Sequence, residues 1–187
     1  MAKFGTWTLE QVETLIAELG EDNARKLVKG EVTVRFSSVE LPKFPVTIDY
    51  PNPPDKMVDQ LKEASQIDFI NQDVTSENFP VKGSGVGVVF LTLVDFGKTI
   101  KTREVLEEFK ELGIDMPGVE HSLAFAAQYP SEQRKGPIAV LCHPWQDGDG
   151  EYHVPYLDGE ANARYLHLHE FNCAWDKRWR FLAVRKS

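Results

Sequence analysis

The run VGVVFLTLVDF, residues 86–96, constrains the fold most. Its β-branched and aromatic residues suit a pleated, packed surface. It is too apolar to be exposed on both faces, so it is read as a central strand. Thr102 is then expected to cap a helix through Leu112, stopped by Gly113. Pro117 or Gly118 opens a second helix, VEHSLAFAAQY, stopped by Pro130, with Leu123, Phe125, Ala126 and Ala127 as core. GPIAVLCHPW reads as a strand and DGDG (147–150) as a turn. EYHVPYL, RYLHLHEF and WRFLAVRK are three further strands. The second half is therefore β-α-α-β-β-β-β, mostly antiparallel, and the fold class is α+β.

The first half is less regular. The first 30 residues predict two short helices, the first capped by Thr8 and carrying Leu9, Val12, Leu15, Ile16 and Leu19 at helical spacing. EVTVRF (31–36) alternates like a half-buried strand. Residues 37–54 hold five prolines and read as irregular or edge-like. Met57 to Ala64 predicts a short helix, and the polar stretch 65–85 a linker or long loop. These signals place a domain boundary near Lys82: an N-terminal α/β extension over 1–82 and a second domain over 83–187.

Charge and composition narrow the function classes. A net charge of −8 opposes broad, sequence-independent nucleic-acid binding. No apolar run reaches the roughly 18 residues of a membrane span, and MAKFGTWTLEQVETLIAELG lacks the apolar core of a signal peptide. A cytoplasmic location is expected, with Cys142 and Cys173 as free thiols.

No motif carries a clear chemistry. GSGVG (83–87) precedes a strand, whereas a dinucleotide fingerprint follows one, so it reads as a flexible approach. DGDG lacks the remaining ligands of a calcium loop. Cys142 and His143 are adjacent on a strand and point to opposite faces, and His121 and Ser122 are splayed on a helix, so neither pair makes a nucleophile. His167, His169 and Cys173, with His153, form the set that a zinc-binding protein or zinc hydrolase would use, though at spacings weaker than C-x-x-C or H-E-x-x-H. Leu166 and Leu168 alternate with the histidines, which places leucines in the core and histidines in solvent. Arg178, Arg180 and Lys186, interleaved with Trp179 and Phe181, give a second alternative, a small nucleic-acid-associated regulator. No cofactor is implied.

Two resemblances go further. The second half resembles a C-type-lectin-like domain, which begins with a strand, adds two helices and short strands, and pairs its last strand with its first. VGVVFLTLVDF would be the first and RFLAVRK the last. The Thr that often leads the second helix of such domains is absent from DMPGVEHSLAFAAQYP. The chain is also similar to a group of uncharacterised bacterial proteins sharing FGTWTLEQVETLIAELG, ARKLVKGEVTV, LAFAAQYPSEQRKGPIAVL, VPYL and a RFLAVRKS-like ending. Together these resemble the variable proteins of diversity-generating retroelements. There a reverse transcriptase acts on the gene rather than the protein, rewriting adenines near its end. Tyr165, His167, His169, Asn172, Cys173, Ala174 and Asp176 all lie within reach of an AAC codon by adenine changes. The resemblance implies a non-enzymatic protein that binds a protein or other surface ligand. Its variable face would be Tyr165, His167, His169, Glu170, Asn172, Cys173, Ala174, Asp176, Lys177, Arg178 and Trp179, held by Leu166, Leu168, Phe171, Trp175, Phe181, Leu182 and Val184.

Overall fold

A computed structural model divides the chain into two compact units, Met1–Val39 and Glu40–Ser187, and describes residues 41–186. The helices expected in the first 30 residues and the EVTVRF strand lie outside the described residues. The rest is a mixed α+β structure whose core is dominated by a sheet, with three α-helices among the described residues.

The strands are β1 (Phe44–Asp49), β2 (Phe69–Ile70), β3 (Val86–Asp95), β4 (Ile100–Lys101), β5 (Ile114–Asp115), β6 (Ile138–Ala139), β7 (Trp145–Gln146), β8 (Tyr152–Gly159), β9 (Arg164–Glu170), β10 (Ala174–Trp175) and β11 (Arg180–Arg185). The main sheet runs β1-β3-β11-β6-β8-β9-β2, with β5 on β11 and β7 on β8. Only β11–β6 and β2–β9 are parallel among the described pairs. The run 86–96 does supply a central strand, held between β1 and β11. Leu91, Thr92, Leu93 and Val94 are buried, so both faces of β3 are covered there, as its composition demands.

The boundary falls elsewhere than near Lys82. Residues 44–49 pair along their length with 86–91, and Phe69–Ile70 pairs with β9, so both belong to the same compact unit as the C-terminal strands. The prolines disguised this. Pro45 sits within β1, which has a ladder partner on one side only among the described residues, where a missing N–H costs no hydrogen bond. The 65–85 segment is correspondingly not a free linker.

The helices are α1 (Pro54–Glu63), α2 (Thr102–Leu112) and α3 (Val119–Gln128). Pro54 opens α1, where its absent N–H is harmless, and Met57, Val58 and Leu61 form the buried face. Gly113, at φ 66°, closes α2 in the left-handed region. Thr102 is not the cap of α2 but its first residue; the Glu104 carboxylate accepts the Lys101 N–H at 2.8 Å instead. The threonine hydroxyl has other work: it donates to the Phe171 carbonyl and accepts from the Trp175 indole N–H at 2.9 Å. Residues Val119 to Ala126 are all buried, so α3 is a core helix rather than an amphipathic one. It packs on α1, β1 and β8. No helix of the described residues is long and apolar enough to cross a membrane.

Candidate functional site

The C-terminal stretch is two strands with an excursion between them. β9 pairs along its length with β8, in register Tyr156 to His167 and Leu157 to Leu166. Alternation sends Arg164 and Leu166 inward, both buried, and Tyr165, His167 and His169 to the other face. β11 then returns alongside β3. Leu166, Trp175, Phe181 and Leu182 are fully buried, and Leu168, Phe171 and Val184 pack partly buried against the core.

The excursion 171–179 is pinned at several points. Phe171 donates its N–H to the Tyr152 carbonyl at 2.7 Å and accepts the Thr102 hydroxyl through its own carbonyl. Ala174 and Trp175 pair with Lys101 and Ile100. The Arg178 N–H donates to Asp176 Oδ1 at 2.8 Å, and the Arg180 N–H to the Pro137 carbonyl at 3.0 Å.

His167 and His169 do not simply point into water. Both are half-buried in a continuous cluster of rings. His167 lies 5.0 Å from Phe69, 5.4 Å from Tyr156 and 5.5 Å from Tyr165, ring centre to ring centre. His169 lies 4.8 Å from Trp175 and 5.3 Å from Trp179. Trp179 in turn stands edge-on to Tyr156 at 5.2 Å and to Trp175 at 4.6 Å. Offset and edge-to-face pairs of this kind gain about 0.5–1.5 kcal/mol each beyond their buried area. His169 is covered because the excursion brings Trp175 and Trp179 back over it, and His167 because Phe69, Tyr156 and Tyr165 flank it.

Beside the rings lies a groove of about 550 Å³, lined by Tyr156 and Trp179 and rimmed by Asp95, Asp158, Lys177 and Arg178. Of the eleven expected face residues, Tyr165, His167, His169 and Trp179 join the ring cluster, and Lys177, Arg178 and Trp179 line the groove. Asp176 braces Arg178 through a contact of 2.8 Å, and that guanidinium holds the carboxyl at about 2. Cys173 is half-buried with Sγ 3.7 Å from His169 Nδ1. Asn172 and Ala174 are exposed on the excursion, and Glu170 is exposed at the end of β9 with the opposite parity to the histidines. Sequence reading missed Tyr156, Asp158 and Phe69. The first two were visible as the alternate positions of HVPYLD; Phe69 stands in a two-residue strand with no period to read.

The residues of the two alternative readings are differently engaged. His153 contacts Asp147 at 2.7 Å and stacks near Trp145, while the same Asp147 accepts the Asp149 and Glu151 N–H groups and so closes the DGDG turn. The His153 hydrogen bond holds the Asp147 carboxyl below the usual range. Among the described residues no three His, Cys, Asp or Glu side chains converge as metal ligands. Arg178, Arg180 and Lys186 each face a carboxylate: Asp176 at 2.8 Å, Glu132 at 3.4 Å and Asp115 at 3.4 Å.

Both cysteines are unpaired in disulfide terms. Burial, with a smaller push from Glu120, raises the Cys142 thiol to about 12; burial and Glu170 raise Cys173 to about 11. The thiolate is the reactive form, so at pH 8 both are mostly protonated and slow. Iodoacetamide at pH 8 is expected to label both cysteines promptly in urea and neither at a comparable rate in the native protein. Prompt native labelling of Cys142 would show its site to be open. No protein-family model, curated protein or solved structure matches the chain.

Proposed function

We propose that this chain is a non-enzymatic ligand-binding protein of C-type-lectin-like fold, displaying a face diversified by a retroelement. The observation that carries the reading is the division of labour in residues 164–185. Buried anchors and backbone bonds fix the path, while the positions within reach of an AAC codon lie between the anchors, exposed or half-buried. The pairing of β3 with β11, with α2 and α3 between them in sequence, supports the C-type-lectin-like reading. The ligand is a protein surface rather than a sugar. A groove walled by Tyr156 and Trp179 and flanked by Arg178 supplies the residue types that dominate protein-binding hot spots.

The decisive experiment is sequencing the gene with its neighbourhood in several isolates. A reverse transcriptase gene beside a near-copy of the 3′ end, differing at adenines, is the expected result. Isolates whose codons 165–176 vary no more than the rest of the gene, with no such copy, overturn diversification.

The same reading sets a stability pattern. Asn172→Tyr and Ala174→Ser alter exposed positions, and each is expected to move unfolding free energy by no more than about 0.5 kcal/mol. Urea denaturation measures this. Losses well beyond that would mean the excursion is not free to vary. His167 and His169 sit within the ring cluster, so changes there are expected to cost more than changes at Asn172.

A further inference from the structure

A second cavity shares no lining residue with the groove. It holds about 480 Å³ and is walled among the described residues by Tyr50, Phe79, Met116 and Phe171, with Glu120 and His121 at the start of α3. Two glycines make room for its polar groups. A Cβ on Gly83 would fall 1.9 Å from a ring carbon of Tyr50, so only glycine lets that ring lie where it does. A Cβ on Gly118 would fall 2.2 Å from Glu120 Oε2: the carboxylate folds back over residue 118 into the cavity.

Glu120 is the unusual group. Its side chain is 6% exposed, and among the described residues its only ion partner is His121, with Oε1 3.1 Å from Nδ1. That nitrogen is already occupied, because the Gly118 N–H donates to it at 2.9 Å. With Nδ1 as acceptor, the ring proton belongs on Nε2, which faces the Tyr50 hydroxyl at 3.5 Å. The carboxylate therefore meets a lone pair, not a donor. Lys82 and His143 also line the cavity, and neither forms an ion pair with Glu120. Among the described residues no hydrogen-bond donor reaches this carboxylate; the first turn of α3 favours its charge, and a cation that brings its own N–H groups supplies the missing donors.

We propose that this cavity binds a small organic cation, a protonated amine on an aromatic or apolar body, with Glu120 as its counter-ion. Tyr50, Phe79 and Phe171 on the cavity wall are the residue types that suit both the body and the charge. The site is independent of the diversified face, and either reading can fail without the other.

The test titrates the full chain at neutral pH with benzylamine, benzyl alcohol and benzoate, followed by calorimetry. Benzylamine is expected to bind, with the isosteric alcohol about tenfold weaker or more and benzoate weaker still. Glu120→Gln is expected to weaken benzylamine by a similar factor and to erase its advantage over the alcohol. Gly118→Ala, which displaces the carboxylate without removing it, is expected to do the same, and thermal unfolding checks that both variants fold. Equal binding of alcohol and amine, an undiminished amine affinity in Glu120→Gln, or no benzylamine binding into the millimolar range each overturns the proposal.

Discussion

Trp175→Ala is expected to cost about 3–5 kcal/mol of stability, the range for emptying a large buried aromatic site. Trp175 is 1% exposed and touches the rings of His169, Trp179 and Phe181 at 4.8, 4.6 and 5.8 Å. It also donates its indole N–H to Thr102, which in turn donates to the Phe171 carbonyl. Its removal therefore leaves a cavity and cuts the chain of bonds that ties the excursion to α2. Chemical denaturation with near-ultraviolet circular dichroism measures both consequences. Trp175→Phe separates them: it keeps most of the packing and loses the hydrogen bond, so it should cost less than the alanine variant by about 1 kcal/mol or more. A Trp175→Ala protein within about 1 kcal/mol of the parent would mean that the excursion is held by its backbone bonds alone.

The strand pattern of the second half was legible for a physical reason. β3, β8, β9 and β11 are long enough for alternation or an apolar run to show, and each is bounded by a turn residue. So the α+β class, the central position of 86–95 and the inward Leu166, Phe181 and Leu182 follow from sequence. What escaped notice has one cause in common: its meaning depends on a distant partner. Pro45 looks like a strand breaker until β3 lies on one side of it. Phe69 looks like a loop residue until β9 arrives in parallel and sets its ring against His167. Thr102 carries the chemistry of a helix cap, yet its hydroxyl is taken by Phe171 and Trp175, 69 and 73 residues away.

The candidate face was legible in part for the same reason. Alternation along β9 predicts which residues leave the core, and Tyr165, His167 and His169 do so together. It cannot predict that Trp175 and Trp179 of the excursion fold back onto His169, or that Phe69 comes to lie against His167, so both histidines become half-buried members of a ring cluster rather than solvent-facing positions. This sharpens the variability argument. The side chains of Asn172 and Ala174 are exposed, whereas position 167 must also fit among Phe69, Tyr156 and Tyr165, and position 169 among Tyr156, Trp175 and Trp179. Flat side chains suit those two positions best.

Arg164→Met should be nearly as damaging as the loss of Trp175, for a reason that strand alternation conceals. A basic residue at the start of a strand reads as a surface group, but Arg164 is 4% exposed. Its guanidinium donates to the carbonyls of Gln66 and Ala126 and to Gln133 Oε1 at 3.0 Å, while its own N–H donates to Asp68 at 2.7 Å. Gln133, 1% exposed, continues the network to the carbonyl of Asp158 at 2.7 Å. One side chain thus joins the 66–68 segment, the end of α3, the turn after it and the β8–β9 hairpin. Burial, followed by the nearby Arg134, pulls the guanidinium below its ordinary range, with Asp68 opposing, but arginine still keeps its charge at neutral pH. Methionine fills similar space and makes none of these bonds. Each orphaned buried acceptor costs about 1–3 kcal/mol, so roughly 2–6 kcal/mol is expected for the carbonyls of Gln66 and Ala126 together. Arg164→Lys should recover little of it, because one ammonium cannot reproduce a planar fork aimed at separate acceptors. Urea denaturation of both variants checks this. Full recovery in the lysine variant would show that charge, not fork geometry, holds the hairpin in place, and with it the strand that carries Tyr165, His167 and His169.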